Sequence, residues 1–254
     1  MSTLLHHFYN EALYSFHLQR RYLLHTVLAS LMLIFIFAGL IGAVLSLSQK
    51  SMGTGIADGL IVGFAVWLFA ASAYSSTSND VAEFMHSRSI EHAFMAAVPF
   101  VYLLAVRAII QIILGVFSFV FVVLIVHLVL GERSRIEFVS MFFACLVAAP
   151  SLFGVGLVVA GILLFMKRAE ALHAFSQLAL LGLVALPAYP ANILAFLPFS
   201  LGAAAARAAG AGEHLSHATF LLIALNSVVY LFLGFLFFSK MERGVRARGI
   251  LGHI

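Results

Sequence analysis

Six times between residues 23 and 238 the chain returns to a long apolar run, and the links between these runs are short. The runs lie at 23–47, 56–75, 100–130, from just after Glu137 to Met166, at 171–186 and at 219–238. A membrane crossing by an α-helix needs about 20 apolar residues, so 254 residues accommodate six crossings and leave no length for a separate soluble domain. Composition agrees: 63% of residues are hydrophobic and 9% charged, where soluble domains carry about a quarter charged residues. Mean hydropathy is +1.11. The expected fold is therefore all-α, a polytopic bundle of six transmembrane helices forming one domain over 1–254. No short apolar segment followed by small residues suggests a cleavable leader, so the first run is expected to be retained.

Glycine and proline mark where these helices approach one another or break. Gly39 and Gly42 in the first run and Gly154, Gly156 and Gly161 in the fourth allow close helix contact, and the second run carries Gly59 and Gly63. Pro150 suggests a kink in the fourth. Pro187, Pro190 and Pro198 fall within a dozen residues and argue against one straight helix, because each removes a backbone donor. We read 187–212 as a proline-rich re-entrant segment near the outer face. The lone Cys145 lies in an apolar run and has no internal disulfide partner.

Two amphipathic stretches break the apolar pattern. In 1–22, Leu5, Phe8, Ala12 and Phe16 recur at helical spacing among polar residues and end at Arg20-Arg21, which reads as an interfacial helix. In 79–99, Asp80 and Glu83 have the spacing of a capping box, so a short helix is expected to start at Asp80 after the second run dissolves at Ser75-Ser76-Thr77-Ser78. A bend follows at Ser87-Arg88-Ser89. The apolar rhythm then resumes at Ile90, Phe94 and Val98, a face suited to holding the segment against the bundle.

Orientation follows from the basic residues. One side carries Arg20, Arg21, Arg88, Lys167, Arg168, Lys240, Arg243, Arg246 and Arg248, and the other carries Lys50, Arg133, Arg135 and Arg207. The excess belongs on the cytoplasmic side, which puts both termini inside. The net charge of +4 is explained by this asymmetry and calls for no nucleic-acid partner. Arg107 and Gln111 fit a third run that begins at the interface, where a charged end reaches water.

Arg88-Ser89-Ile90-Glu91 followed by His92-Ala93-Phe94-Met95 resembles the cytoplasmic coupling region of type-2 ATP-binding-cassette exporter permeases. That region usually reads Gly-Thr-Leu-Glu, a few apolar residues and a proline. The glutamate is present; the glycine is not, and Ala97 stands where the proline is usual, with Pro99 two residues later. Pro198 and Arg207 match the spacing of a family motif after the fifth crossing, although Leu201 and Ala204 replace its tyrosine and acidic residue. The ending FSKMERGVRARGILG and the basic stretch GLVVAGILLFMKRAEAL are similar to the family's as well.

The resemblance implies a permease subunit in a prokaryotic inner membrane, moving an amphiphilic, lipid-like or glycan substrate. It implies separate ATPase subunits that bind ATP and Mg, and a second permease copy or a related permease. Glu83, Arg88, Glu91 and Phe94 are then the candidate ATPase-coupling residues. Pro187, Pro190, Pro198 and Arg207 are the candidates for an outer gate. No cofactor is expected in this chain itself.

Residue patterns for catalysis are weak. His214 and His217, or Glu170 and His173, are pairs where a metal site needs three or four convergent ligands. No Gly-x-Ser-x-Gly, His-Glu-x-x-His or P-loop is found in the sequence, so ATP hydrolysis by a P-loop would fall to another chain. The alternative is an ATP-independent secondary transporter or channel. Such proteins usually place acidic groups at mid-membrane, whereas Asp58, Asp80, Glu83 and Glu91 read as lying at the edges. The topology is testable by single cysteines in a Cys145→Ser background. Those at Ser2 and Gly252 are expected to be shielded from an impermeant thiol reagent in intact cells, and one at Ser134 to label. Labelling of either terminus would exclude six crossings with both ends inside.

Overall fold

A computed structural model describes residues 8–14, 17, 20–21, 24, 27–28, 31–32, 35–36, 39, 42–43, 46, 55–87, 90, 94, 99–130, 137–164 and 170–248. Among them there is no strand, and every described residue up to 46 is helical. Ile90 and Phe94 are helical as well, and six longer α-helices are described after residue 46. They are α1 (Gly55–His86), α2 (Phe100–Leu130), α3 (Phe138–Leu163), α4 (Glu170–Ala185), α5 (Ser200–Gly210) and α6 (His217–Arg248), with a 3-10 turn at Ile193–Phe196 before α5. Three stretches among the described residues, Gly59–Met85, Phe138–Leu163 and His217–Arg246, are helices long and apolar enough to cross a membrane.

α1 departs from expectation. The sequence pattern suggests a break at Ser75–Ser78 and a new helix capped by Asp80, yet α1 is continuous through both. The serines do not compete with the helix, because their hydroxyls return to carbonyls one turn back. Ser72 donates to Phe69 O (2.8 Å), Ser76 to Ala73 O (3.2 Å) and Ser78 to Ser75 O (3.3 Å). A polar side chain satisfied in this way is compatible with a buried helix face. Asp80 turns its carboxylate to Arg107 instead of the helix N–H groups. α1 ends at Ser87, whose N–H and hydroxyl both donate to Glu83 O. At 1.5 Å per residue its 32 residues span about 48 Å, longer than a hydrocarbon core of about 30 Å.

α3 is the centre of the bundle. It packs against α6, α1 and α5, and its buried residues, among them Met141, Cys145, Ala149, Leu152, Leu157 and Leu163, lie on all sides of the helix. A helix apolar all round belongs in such a position. The α3–α6 crossing is backbone against backbone: a Cβ on Gly154 would lie 2.2 Å from Tyr230 O, and one on Gly234 would lie 2.2 Å from Gly154 O. Ser227 adds a hydrogen bond across this crossing to Val147 O, at 2.9 Å. α5 packs equally closely, since a Cβ on Gly202 would meet the Ala148 side chain at 2.2 Å.

α6 covers α3 with one face and leaves the rest open. Leu221, Leu225, Val228 and Phe232 on its outer side are each at least 60% exposed, the pattern of a helix surrounded by lipid or by another chain. α6 also runs past Phe238, where the apolar run ends, and carries its basic residues on helix as far as Arg248. Its 32 residues match α1 in length.

Replacing Gly154 or Gly234 by leucine forces the two backbones apart and is expected to destabilise the protein by about 3 kcal/mol or more. Gly63→Ala, which meets nothing within 4 Å, should leave stability unchanged or slightly raised. Thermal unfolding in detergent, followed by size-exclusion chromatography, separates these outcomes. Equal melting behaviour for Gly154→Leu and Gly63→Ala would show that the crossing is not tight.

Candidate functional site

Two clusters collect the polar and aromatic groups of the bundle, one at each end. At the first end, where α1 and α6 finish and α2 begins, Phe100 stands at the centre of an aromatic group. Its ring lies 4.9 Å from Phe94, 5.5 Å from Phe84 and 6.1 Å from Phe238. Pro99 immediately precedes α2, its carbonyl receiving the Tyr102 N–H, and so fixes where Phe100 enters. Ile90 and Phe94, apolar positions four apart, are buried against the bundle.

Two guanidinium groups cover this aromatic group from opposite helices. Arg246 of α6 lies over the Phe94 ring at 4.8 Å and pairs with Glu242 at 2.6 Å. Arg107 of α2 lies over Phe84 at 4.7 Å. It also makes ion pairs with Glu11 at 2.5 Å and with Asp80 at 3.4 Å. All three side chains of that network are more than four-fifths buried. Arg107 is therefore not a charge extended to solvent, as its place in an apolar run suggests, but a tie between three segments. Burying such a network costs desolvation that the pairing offsets, and removing one partner leaves an uncompensated charge.

Of the candidate coupling residues, Glu83 is exposed on the last turn of α1, and Phe94 faces inward against Phe100 and Arg246. Arg88 and Glu91 lie outside the described residues, as does Val98. The structure thus brings Glu83 and Phe94 to the same end of the bundle.

At the other end α4 stops at Ala185, and the chain passes through the three prolines without forming a second long helix. The carbonyls released there find donors. Asn192 donates to Pro187 O (2.8 Å) and accepts from Leu194 N–H, and Ser200 donates to Leu194 O and Leu197 O. From α6, Asn226 reaches Ala195 O at 3.1 Å and Tyr230 donates to Phe196 O at 2.8 Å. Arg207 binds Leu186 O at 2.5 Å and Ala185 O at 3.4 Å, placing a positive charge at the C-terminus of α4. Pro187, Pro190, Pro198 and Arg207 therefore belong to one stitched unit. Phe199, buried and with φ of 62°, makes the turn into α5. An apolar groove of about 580 Å³ opens between this unit and α6, lined in part by Ala191, Phe196, Leu222 and Val229.

Sequence reasoning missed Asn226 and Tyr230, although their spacing of four within an apolar run places them on one helix face. It also missed Glu11, Arg246, Phe100 and Phe238, whose partners are far apart in the chain. Among the described residues no three His, Cys, Asp or Glu side chains gather as a metal-binding group. No family model matches the chain, and no curated protein is similar to it at a significant level.

Because Asn226 ties α6 to the Ala195 carbonyl, Asn226→Leu should loosen the segment at a cost of about 1–3 kcal/mol. Tyr230→Phe should cost less. Limited proteolysis at 187–199 together with thermal unfolding measures this, and wild-type resistance in Asn226→Leu would mean the stitching is dispensable.

Proposed function

We propose that this chain is the membrane permease subunit of an ATP-driven exporter, with both termini cytoplasmic and six crossings. The crossings are the first apolar run, α1, α2, α3, the pair α4 and α5 taken as one broken crossing with a re-entrant arm, and α6. Separate ATPase subunits bind ATP and Mg, and a second permease copy or a related permease completes the assembly. The substrate is an amphiphile, lipid-like or glycan-bearing, passing between the two bundles.

One observation carries this reading. α1 continues without a break to His86, and beyond it Ile90 is buried while Phe94 packs against Phe100 of α2 and under Arg246 of α6. A cytoplasmic push that reaches Phe94 is then delivered to α2 and α6 through these contacts. In this reading Glu91, together with Arg88 and Glu83, meets the ATPase, and Phe94 transmits the push to the bundle. The proline-rich unit forms the outer end of the path, braced by Arg207.

A second reading, an ATP-independent secondary transporter, is favoured by the ion network. Asp80 falls within the apolar helix 59–85 and not in a separate surface helix, and ionisable groups in such positions often belong to ion pathways.

Glu91→Ala and Glu91→Lys separate the two readings. Truncating a buried interfacial charge costs about 2 to 5 kcal/mol, so both variants should lose the co-purifying ATPase or uncouple hydrolysis from export while inserting normally. Phe94→Ala should give the same defect by releasing the segment. Normal assembly and export in both Glu91 variants would exclude the coupling role and leave the ATP-independent reading.

A further inference from the structure

Glu11 and Asp80 share a single cation. Arg107 holds Glu11 at 2.5 Å and Asp80 at 3.4 Å, and Asp80 also feels the repulsion of Glu11 and of Glu83 one turn further along α1. Tyr14, on the same N-terminal helical stretch as Glu11, places its ring 5.8 Å from the Arg107 guanidinium. Helical residues 8–14 thus meet α1 and α2 at one side chain. If the N-terminal helix leaves, Arg107 and Asp80 remain as a neutral pair. When it docks, a surplus carboxylate is brought into a setting where each side chain is less than one-fifth exposed.

We infer that Arg107 is a latch under tension: it holds Glu11 through Nε and Asp80 through Nη1 at once, and the repulsion between these two carboxylates keeps the N-terminal helix poised between docked and released states. The latch is independent of which energy source drives the protein. An element with two near-equal arrangements is what a conformational cycle needs, since a small differential contact elsewhere then shifts its population. The repulsion has a consequence opposite to that of a purely structural network. In a structural network Asp80 would orient Arg107 toward Glu11, and removing its charge would weaken docking. Here, removing the charge relieves the repulsion on Glu11 and strengthens docking.

The test uses the full chain in nanodiscs of zwitterionic lipid, in a Cys145→Ser background, with spin labels on cysteines at Tyr9 and Asn79, both exposed. Pulsed dipolar spectroscopy reads the near and far populations. Asp80→Asn is expected to raise the ratio of near to far roughly three- to tenfold, from relief of a like-charge repulsion at a few ångströms. Glu11→Gln should lower it by a similar factor, and the double variant should follow Glu11→Gln. An unchanged or reduced near population in Asp80→Asn would overturn the latch. So would a Glu11→Gln protein that docks as the wild type does. Glu11 belongs to the N-terminal stretch and to none of the helices α1–α6, and Glu11→Gln leaves Arg107 paired with Asp80, so the test stands even if Asp80→Asn fails to fold.

Discussion

Inside an apolar bundle every backbone carbonyl and every hydroxyl needs a partner within the protein, and this requirement shapes both ends of the molecule. Where the helix is continuous, as through Ser72 to Ser78 of α1, the serine hydroxyls return to the preceding turn. Where prolines interrupt it, donors must come from elsewhere. Asn226, Tyr230, Ser200 and Arg207 supply them, so the irregular segment after α4 is as fixed as the helices around it.

The partners of that segment sit on α6, and α6 is positioned by its glycine crossing with α3. The close approach of Gly154 and Gly234 brings Asn226 and Tyr230 under the 3-10 turn at one end. On the same helix it brings Phe238 and Arg246 to the aromatic group at the other. α6 therefore connects the two clusters through one rigid rod about 48 Å long. A displacement at Phe94 has a direct mechanical route to the proline-rich unit, which is what the proposed transport cycle requires.

Charge is treated differently at the two ends. Arg207 is held by carbonyls at a helix C-terminus, an arrangement with one stable position. Arg107 faces more carboxylate than it can neutralise, so its arrangement admits an alternative. The contrast separates a brace from a candidate moving part.

Much of this protein could be read directly from residue order. Apolar run lengths reported the long helices because transfer from water to lipid adds residue by residue along a helix. The break after Ala185 was legible because proline removes a donor wherever it stands, and Ile90 and Phe94 declared a buried face through their spacing. The capping role of Asp80 and the serine break were misread because local signals could not reveal that Ser hydroxyls would close within the turn, or that Asp80 had a cation 27 residues away. Gly154 was visible as a site of close approach, but not that its partner was Gly234. Arg107 read as a surface charge, since its tie to Glu11 spans 96 residues. Local sequence determined where the apolar runs lie and which faces are apolar. Only the tertiary structure decided which faces meet and which charges pair, because those energies depend on distances between residues that the chain's order leaves far apart.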